Sequence, residues 1–118
     1  YGQQRLQMVS GGEEKNKMGV IRDHIEAYFR EDISTEKLAE LTNLSHYYLI
    51  RSFKRQYGLP PHAYANQLKL LAAKQQLTAG INPAAVASDV GFYDQSHFNR
   101  VFKKAYGITP GGYAKAFI

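Results

Sequence analysis

The chain has 118 residues, no cysteine, and 15 Lys/Arg against 10 Asp/Glu, for a formal net charge of +5. That length allows one compact domain, or two very small ones sharing a core. The lack of cysteine excludes thiol catalysis, a disulfide framework and thiolate zinc sites, and it fits a reducing cytoplasm; no apolar run approaches a membrane span, and no signal-peptide pattern opens the chain.

Residues 1–17 are polar and contain Gly11-Gly12, which reads as a flexible tail or the stub of an interdomain linker. Met18 to Phe29 predicts a helix, with Ile21, Ile25 and Phe29 (or Tyr28) on one face and Asp23 and Glu26 on the other. Ser34 is placed to cap the next helix, with Glu36 in its first turn, where the helix dipole favours an acid. Leu38, Ala39 and Leu41 are expected to face inward there. The helix ends near Asn43, a residue type that accepts a left-handed cap.

Ser45 caps a further helix that runs through Tyr57 and is closed by Gly58. Leu49, Ser52 and Phe53 are its expected inner side. His46, Tyr47, Ile50, Arg51 and Lys54 are its outer side. A short helix, a tight turn and a second helix with a basic face follow helix-turn-helix logic. Pro60-Pro61 then opens a long helix to about Thr78, because proline is tolerated in a first helical turn. At 1.5 Å per residue that helix spans roughly 25 Å. Its inner stripe is Leu70, Ala73 and Leu77, with Lys69 and Lys74 expected to point elsewhere.

Asn82-Pro83 caps a helix ending at Gly91, and Asp94 caps another from Gln95 to Tyr106. On this last helix Phe98, Val101, Phe102 and Ala105 have the spacing of a buried stripe. The opposite face carries Gln95, Ser96, Asn99, Arg100 and Lys103. Gln, Asn and Arg are the side chains that make paired hydrogen bonds to base edges in a DNA major groove. Thr109-Pro110 caps a final short helix holding Tyr113 and Phe117. No segment sustains period-two alternation, so the fold class is all-α.

The charge is unevenly spread. Residues 1–44 hold six Lys/Arg against eight acids, a net of −2, whereas residues 45–118 hold nine against two, a net of +7. The basic part also contains an internal repeat. Residues 48–64 align with 97–113, and seven of the 17 positions are identical: Arg51/Arg100, Phe53/Phe102, Lys54/Lys103, Tyr57/Tyr106, Gly58/Gly107, Pro61/Pro110 and Tyr64/Tyr113. Two units, each presenting one helix and joined by a rigid spacer, suit a reader of successive major grooves, which lie about 34 Å apart on one side of B-DNA.

These residues resemble the AraC/XylS-type transcription regulators. The second half carries Val86-Ala87, Gly91-Phe92, Asp94, Ser96, Phe98, Arg100, Phe102-Lys103-Lys104, Gly107, Thr109-Pro110 and Tyr113. The first half carries Leu38-Ala39, Ser45, Leu49, Arg51, Phe53-Lys54, Gly58 and Tyr64. The resemblance implies a seven-helix DNA-binding domain of two homeodomain-like helix-turn-helix subdomains, 18–61 and 80–118, joined by a linker helix over 62–79. It places recognition helices at about 46–56 and 95–105. In full-length members of that family a ligand-binding or dimerisation domain often precedes this one, so the chain is expected to be the C-terminal part of a larger regulator whose effector would bind that domain, although small stand-alone members also exist. The chain departs from the family at Lys69-Leu70, where an Arg usually precedes the Leu, and lysine cannot form a bidentate fork. The first recognition face also has Ile50 where a hydrogen-bonding residue would be a more obvious base reader, although Ile can pack on a thymine methyl.

The expected base-reading residues are Tyr47, Ile50, Arg51, Gln95, Ser96, Asn99 and Arg100. The expected phosphate contacts are His46, Lys54, Arg55, Lys103 and Lys104, which would position the protein without specifying sequence. The repeated aromatics fall at core positions, so packing and not base stacking explains them. The four histidines lie in different helices without ligand spacing, and no metal or cofactor is expected. A second reading is a protein-interaction module whose helical faces bind a partner such as RNA polymerase. No pair of acids, nucleophile–base set or phosphate loop supports an enzyme.

Overall fold

The computed structural model describes residues 11–116. The tail expected over residues 1–10 and the place expected for Phe117 in the final helix lie outside the described residues. Within them the chain forms seven helices and no strand: α1 (Gly11–Tyr28), α2 (Thr35–Thr42), α3 (His46–Tyr57), α4 (Pro61–Thr78), α5 (Pro83–Val90), α6 (Gln95–Tyr106) and α7 (Pro110–Lys115).

Local chemistry sets most boundaries. Side-chain oxygens of Ser34, Ser45, Asn82, Asp94 and Thr109 accept from the backbone N–H three residues on, at 3.0, 3.2, 2.9, 2.7 and 3.1 Å. Each satisfies one of the donors a helix start leaves without a partner. Asn43 takes the left-handed conformation (φ 57°) that closes α2. Gly58 and Gly107 do the same for α3 and α6, at φ 85° and 79°.

The described residues divide into two compact units between Asn66 and Gln67, inside α4. In the first unit α1, α2 and α3 pack on one another around Met18, Ile21, Ile25, Leu38, Leu44, Leu49 and Phe53. In the second, α5, α6 and α7 pack together, and Leu70, Ala73 and Leu77 join Val86, Ala87, Val90, Phe92, Phe98 and Phe102 in one core. Burying each such phenylalanine is worth about 1.5–3 kcal/mol.

The division inside α4 has a physical reason. Buried Met18, Ile21 and Ile25 of α1 have the same spacing as buried Leu70, Ala73 and Leu77 of α4. Arg22, whose guanidinium lies over the Tyr57 ring, is matched in this register by Lys74, whose ammonium lies over Tyr106. The later part of α4 is therefore the counterpart of α1. Its first turns, with Tyr64 and buried Ala65, are the counterpart of α7 with Tyr113 and Ala114. What reads in sequence as a spacer is the last helix of one repeat fused to the first helix of the next.

Four expectations change. Residues 11–17, expected as tail, form the first turns of α1; Glu13 and Glu14 suit its positive end. Leu41 is 43% exposed, and Thr42, four residues after Leu38, takes the buried place, its hydroxyl donating to the Leu38 carbonyl at 2.9 Å. Ala105 is exposed, so the inner stripe of α6 narrows to buried Phe98 and Phe102, with half-buried Val101 packed against the same core. Lys69 and Lys74 do not point away from the core: both are half-buried, with their ammoniums over Phe92 and Tyr106.

Candidate functional site

α3 and α6 are built alike. Each is anchored by a fully buried phenylalanine, Phe53 or Phe102, and each carries that ring into the same aromatic triad. Phe53 meets Tyr57 at 4.7 Å and Tyr64 edge-on at 5.6 Å between centroids; Phe102 meets Tyr106 at 4.8 Å and Tyr113 edge-on at 5.6 Å. These tilted and edge-on arrangements are favourable for aromatic pairs. They occupy the aromatic faces in packing, which removes the six rings from the list of stacking platforms. Burial holds the Tyr106 phenol above its ordinary pKa, aided by the neighbouring Tyr113. Burial also raises Tyr64, together with its hydrogen bond to Glu26 at 2.8 Å.

With one side fixed, the other side of each helix faces solvent. On α3 His46, Tyr47, Ile50, Arg51, Lys54 and Arg55 are all exposed, Tyr47 at 70%. On α6 Gln95, Ser96, Arg100, Lys103 and Lys104 are exposed and Asn99 is half-buried. Neither helix carries an acid, so every charged side chain on each exposed face is basic. Lys54, Arg55, Lys103 and Lys104 stand in the last turns, where they also complement the negative end of the helix dipole.

The structure adds order to the α3 face. One Arg51 N–H donates to the Tyr47 hydroxyl at 3.2 Å, and the guanidinium lies over the Tyr47 ring at 5.4 Å. Arginine has five donors, so this contact holds the fork while leaving others to face outward. Arg55 is turned back to the Ser52 hydroxyl at 3.4 Å.

Two contributors escape sequence reasoning. Glu14, from the stretch expected as tail, accepts hydrogen bonds from the Tyr48 hydroxyl and, at 3.2 Å, from the Ser52 hydroxyl of α3. No local pattern announces a bond across 34 or more positions. Tyr93, 92% exposed beside the cap of α6, is the other. Its only signal is an aromatic directly before an N-cap, next to a phenylalanine that the core takes. Two acid-free helix faces carrying basic and polar side chains, each on an aromatic base, can meet a polyanion and offer it directed hydrogen-bond donors.

Residues 38–116 match a family of helix-turn-helix domains. An uncharacterised helix-turn-helix-type transcriptional regulator of Bacillus subtilis, YbfI, is 35% identical over 85 residues, covering 72% of this chain and 31% of that protein. A probable AraC family transcriptional regulator from Rhodopseudomonas palustris matches in structure with a TM-score of 0.76 and 30% identity, over 86% of this chain and 97% of that one. The C-terminal domain of the two-component response regulator yesN from Fusobacterium nucleatum gives 0.77 and 34%, over 84% and 98%. The chain spans well under half the length of the curated relatives it matches.

Proposed function

Because the chain belongs to the AraC-type helix-turn-helix family, we propose that it binds double-stranded DNA sequence-specifically and regulates transcription. In this reading α3 and α6 each enter one of two successive major grooves. The observation that carries it is the duplication of one device: an acid-free, basic helix face standing on the same aromatic triad around a buried phenylalanine. Two such faces in one chain read an asymmetric site without requiring a symmetric dimer.

Tyr47, Ile50 and Arg51 on α3 and Gln95, Ser96, Asn99 and Arg100 on α6 read base edges. Arg100 and Arg51 supply forked donors suited to guanine, Gln95 and Asn99 suit adenine, and Ile50 suits a thymine methyl. His46, Lys54, Arg55, Lys103 and Lys104 hold phosphates. α3 leans on shape and methyl contact and α6 on hydrogen bonds, since α3 exposes no Asn or Gln before its last turn. The role is recognition, not catalysis, and the setting is the bacterial cytoplasm. RNA polymerase and an effector are partners of the intact regulator under this proposal, and neither takes part in the DNA contact itself.

Selection of bound duplexes from a random library, followed by sequencing, tests it. Two half-sites about one helical turn apart are expected. A lone half-site would remove one of the two helices from base reading. Binding that is weak and indifferent to salt would favour a protein-interaction module instead.

A further inference from the structure

The first turns of α1 reach the inner side of α3 through one carboxylate. Glu14 accepts from the Tyr48 hydroxyl and from the Ser52 hydroxyl at 3.2 Å, and both bonds end on the same oxygen. Ser52 is 1% exposed, so its hydroxyl depends on partners within the protein. Ser52 in turn accepts from Arg55 at 3.4 Å. The chain Glu14–Ser52–Arg55 therefore runs from the start of α1 through the buried side of α3 to its exposed basic face. The Tyr48 phenol is held above its ordinary pKa, first by the bond to Glu14 and then by burial.

The second repeat has no such arrangement. His97 stands in place of Tyr48 and Val101 in place of Ser52, so α6 lacks both hydroxyls. Among the described residues, the side-chain hydrogen bonds of Glu14 go to α3.

We infer that Glu14 is a positioning residue for DNA recognition by the first repeat: it fixes α3 about its axis and sets the direction of Arg55. This rests on the reading of α3 as a DNA-contacting helix. It also makes the first turns of α1 an input to recognition of one half-site, leaving the other untouched.

The test uses the full chain and the duplex it selects from a random library, together with two versions in which one or the other half-site is scrambled. Glu14→Ala and Glu14→Gln both remove the negative charge, so their difference isolates the hydrogen bonds, and the Gln amide oxygen can still accept from both hydroxyls. Glu14→Ala and Tyr48→Phe are each expected to weaken binding through the first half-site by about three- to tenfold relative to Glu14→Gln. The double variant Glu14→Ala/Tyr48→Phe is expected to bind no more weakly than the weaker single variant. Footprint protection over the second half-site is expected to stay the same, and Glu14→Gln to bind close to the parent chain.

Equal binding by Glu14→Ala and Glu14→Gln overturns the inference. So does a loss shared by both half-sites, which would mark Glu14 as a contributor to stability alone. Arg51→Ala separates the two levels of the argument. If it weakens the first half-site while the Glu14 variants do not, only the positioning role is lost. If Arg51→Ala also binds unchanged, the role of α3 in DNA contact falls, and the inference with it.

Discussion

The Lys69 ammonium donates to the Gly91 carbonyl oxygen at 3.0 Å and lies 5.5 Å from the centre of the Phe92 ring. Gly91, in the left-handed conformation, closes α5 and begins the turn into α6. Lys69 thus ties the later part of α4 to that turn, inside the second unit. Lys69→Met keeps the apolar stem and removes the donor. It is expected to lower the unfolding free energy by about 1–2 kcal/mol, near the low end for a hydrogen bond of a charged group because Lys69 is half-buried, while Lys69→Arg loses less. Urea denaturation of the three chains checks this, and equal midpoints would leave Lys69 without that task.

Arg100 stands exposed on α6 beside Gln95 and Ser96. Arg100→Ala is expected to cost about 1–3 kcal/mol of affinity and to relax preference at one base pair. Competition binding against all single-base variants of the selected duplex is the measurement. A loss spread evenly over every variant would make Arg100 a phosphate contact.

Lys54 and Lys103 occupy equivalent places in the two repeats, one turn past Ile50 and Asn99. As phosphate contacts, each should contribute about one unit to the slope of log affinity against log salt concentration. Lys54→Ala and Lys103→Ala are expected to shallow that slope by similar amounts without altering sequence preference. A change in the preferred bases would reassign the altered lysine to base reading.

Gly58 and Gly107 have open space around them, since an added Cβ would meet nothing within 4 Å. Their cost of substitution is therefore conformational, from φ of 85° and 79°. Gly58→Ala and Gly107→Ala should each destabilise by about 1–2 kcal/mol. Gly111→Ala in α7, equally open but without a positive φ, should instead be neutral or stabilise by up to about 1 kcal/mol. Thermal unfolding of the three variants gives the comparison, and a uniform response would refute the assignment.

Tyr106 ionises less readily in the folded chain than in the unfolded one, through burial and the adjacent Tyr113. A group whose folded pKa is raised contributes its stability below the unfolded pKa and loses it as pH climbs towards the folded value. Folding stability should thus decline from near pH 10.0, the ordinary tyrosine value, upward. Tyr106→Phe should soften that decline without abolishing it, because Tyr48 and Tyr64 are shifted in the same direction. Denaturation at pH 8 and about pH 11 is the check.

Much of this protein is local in origin and so was legible along the chain. The caps at Ser34, Ser45, Asn82, Asp94 and Thr109 act over three residues, and the closures at Asn43, Gly58 and Gly107 act on a single φ. The same holds for the exposed faces of α3 and α6, because helical periodicity alone separates Arg51 from Phe53 and Arg100 from Phe102. Tertiary structure decided what distance in sequence conceals. α4 is continuous, so nothing in its pattern marks where one repeat ends and the next begins; only the cores that Ala65 and Leu70 enter reveal it. Lys69 and Lys74 were expected to point away from the core because the carbonyl and rings they meet lie 22 or more positions on. Glu14 looked like tail because its donors, Tyr48 and Ser52, are brought to it only when α1 packs on α3.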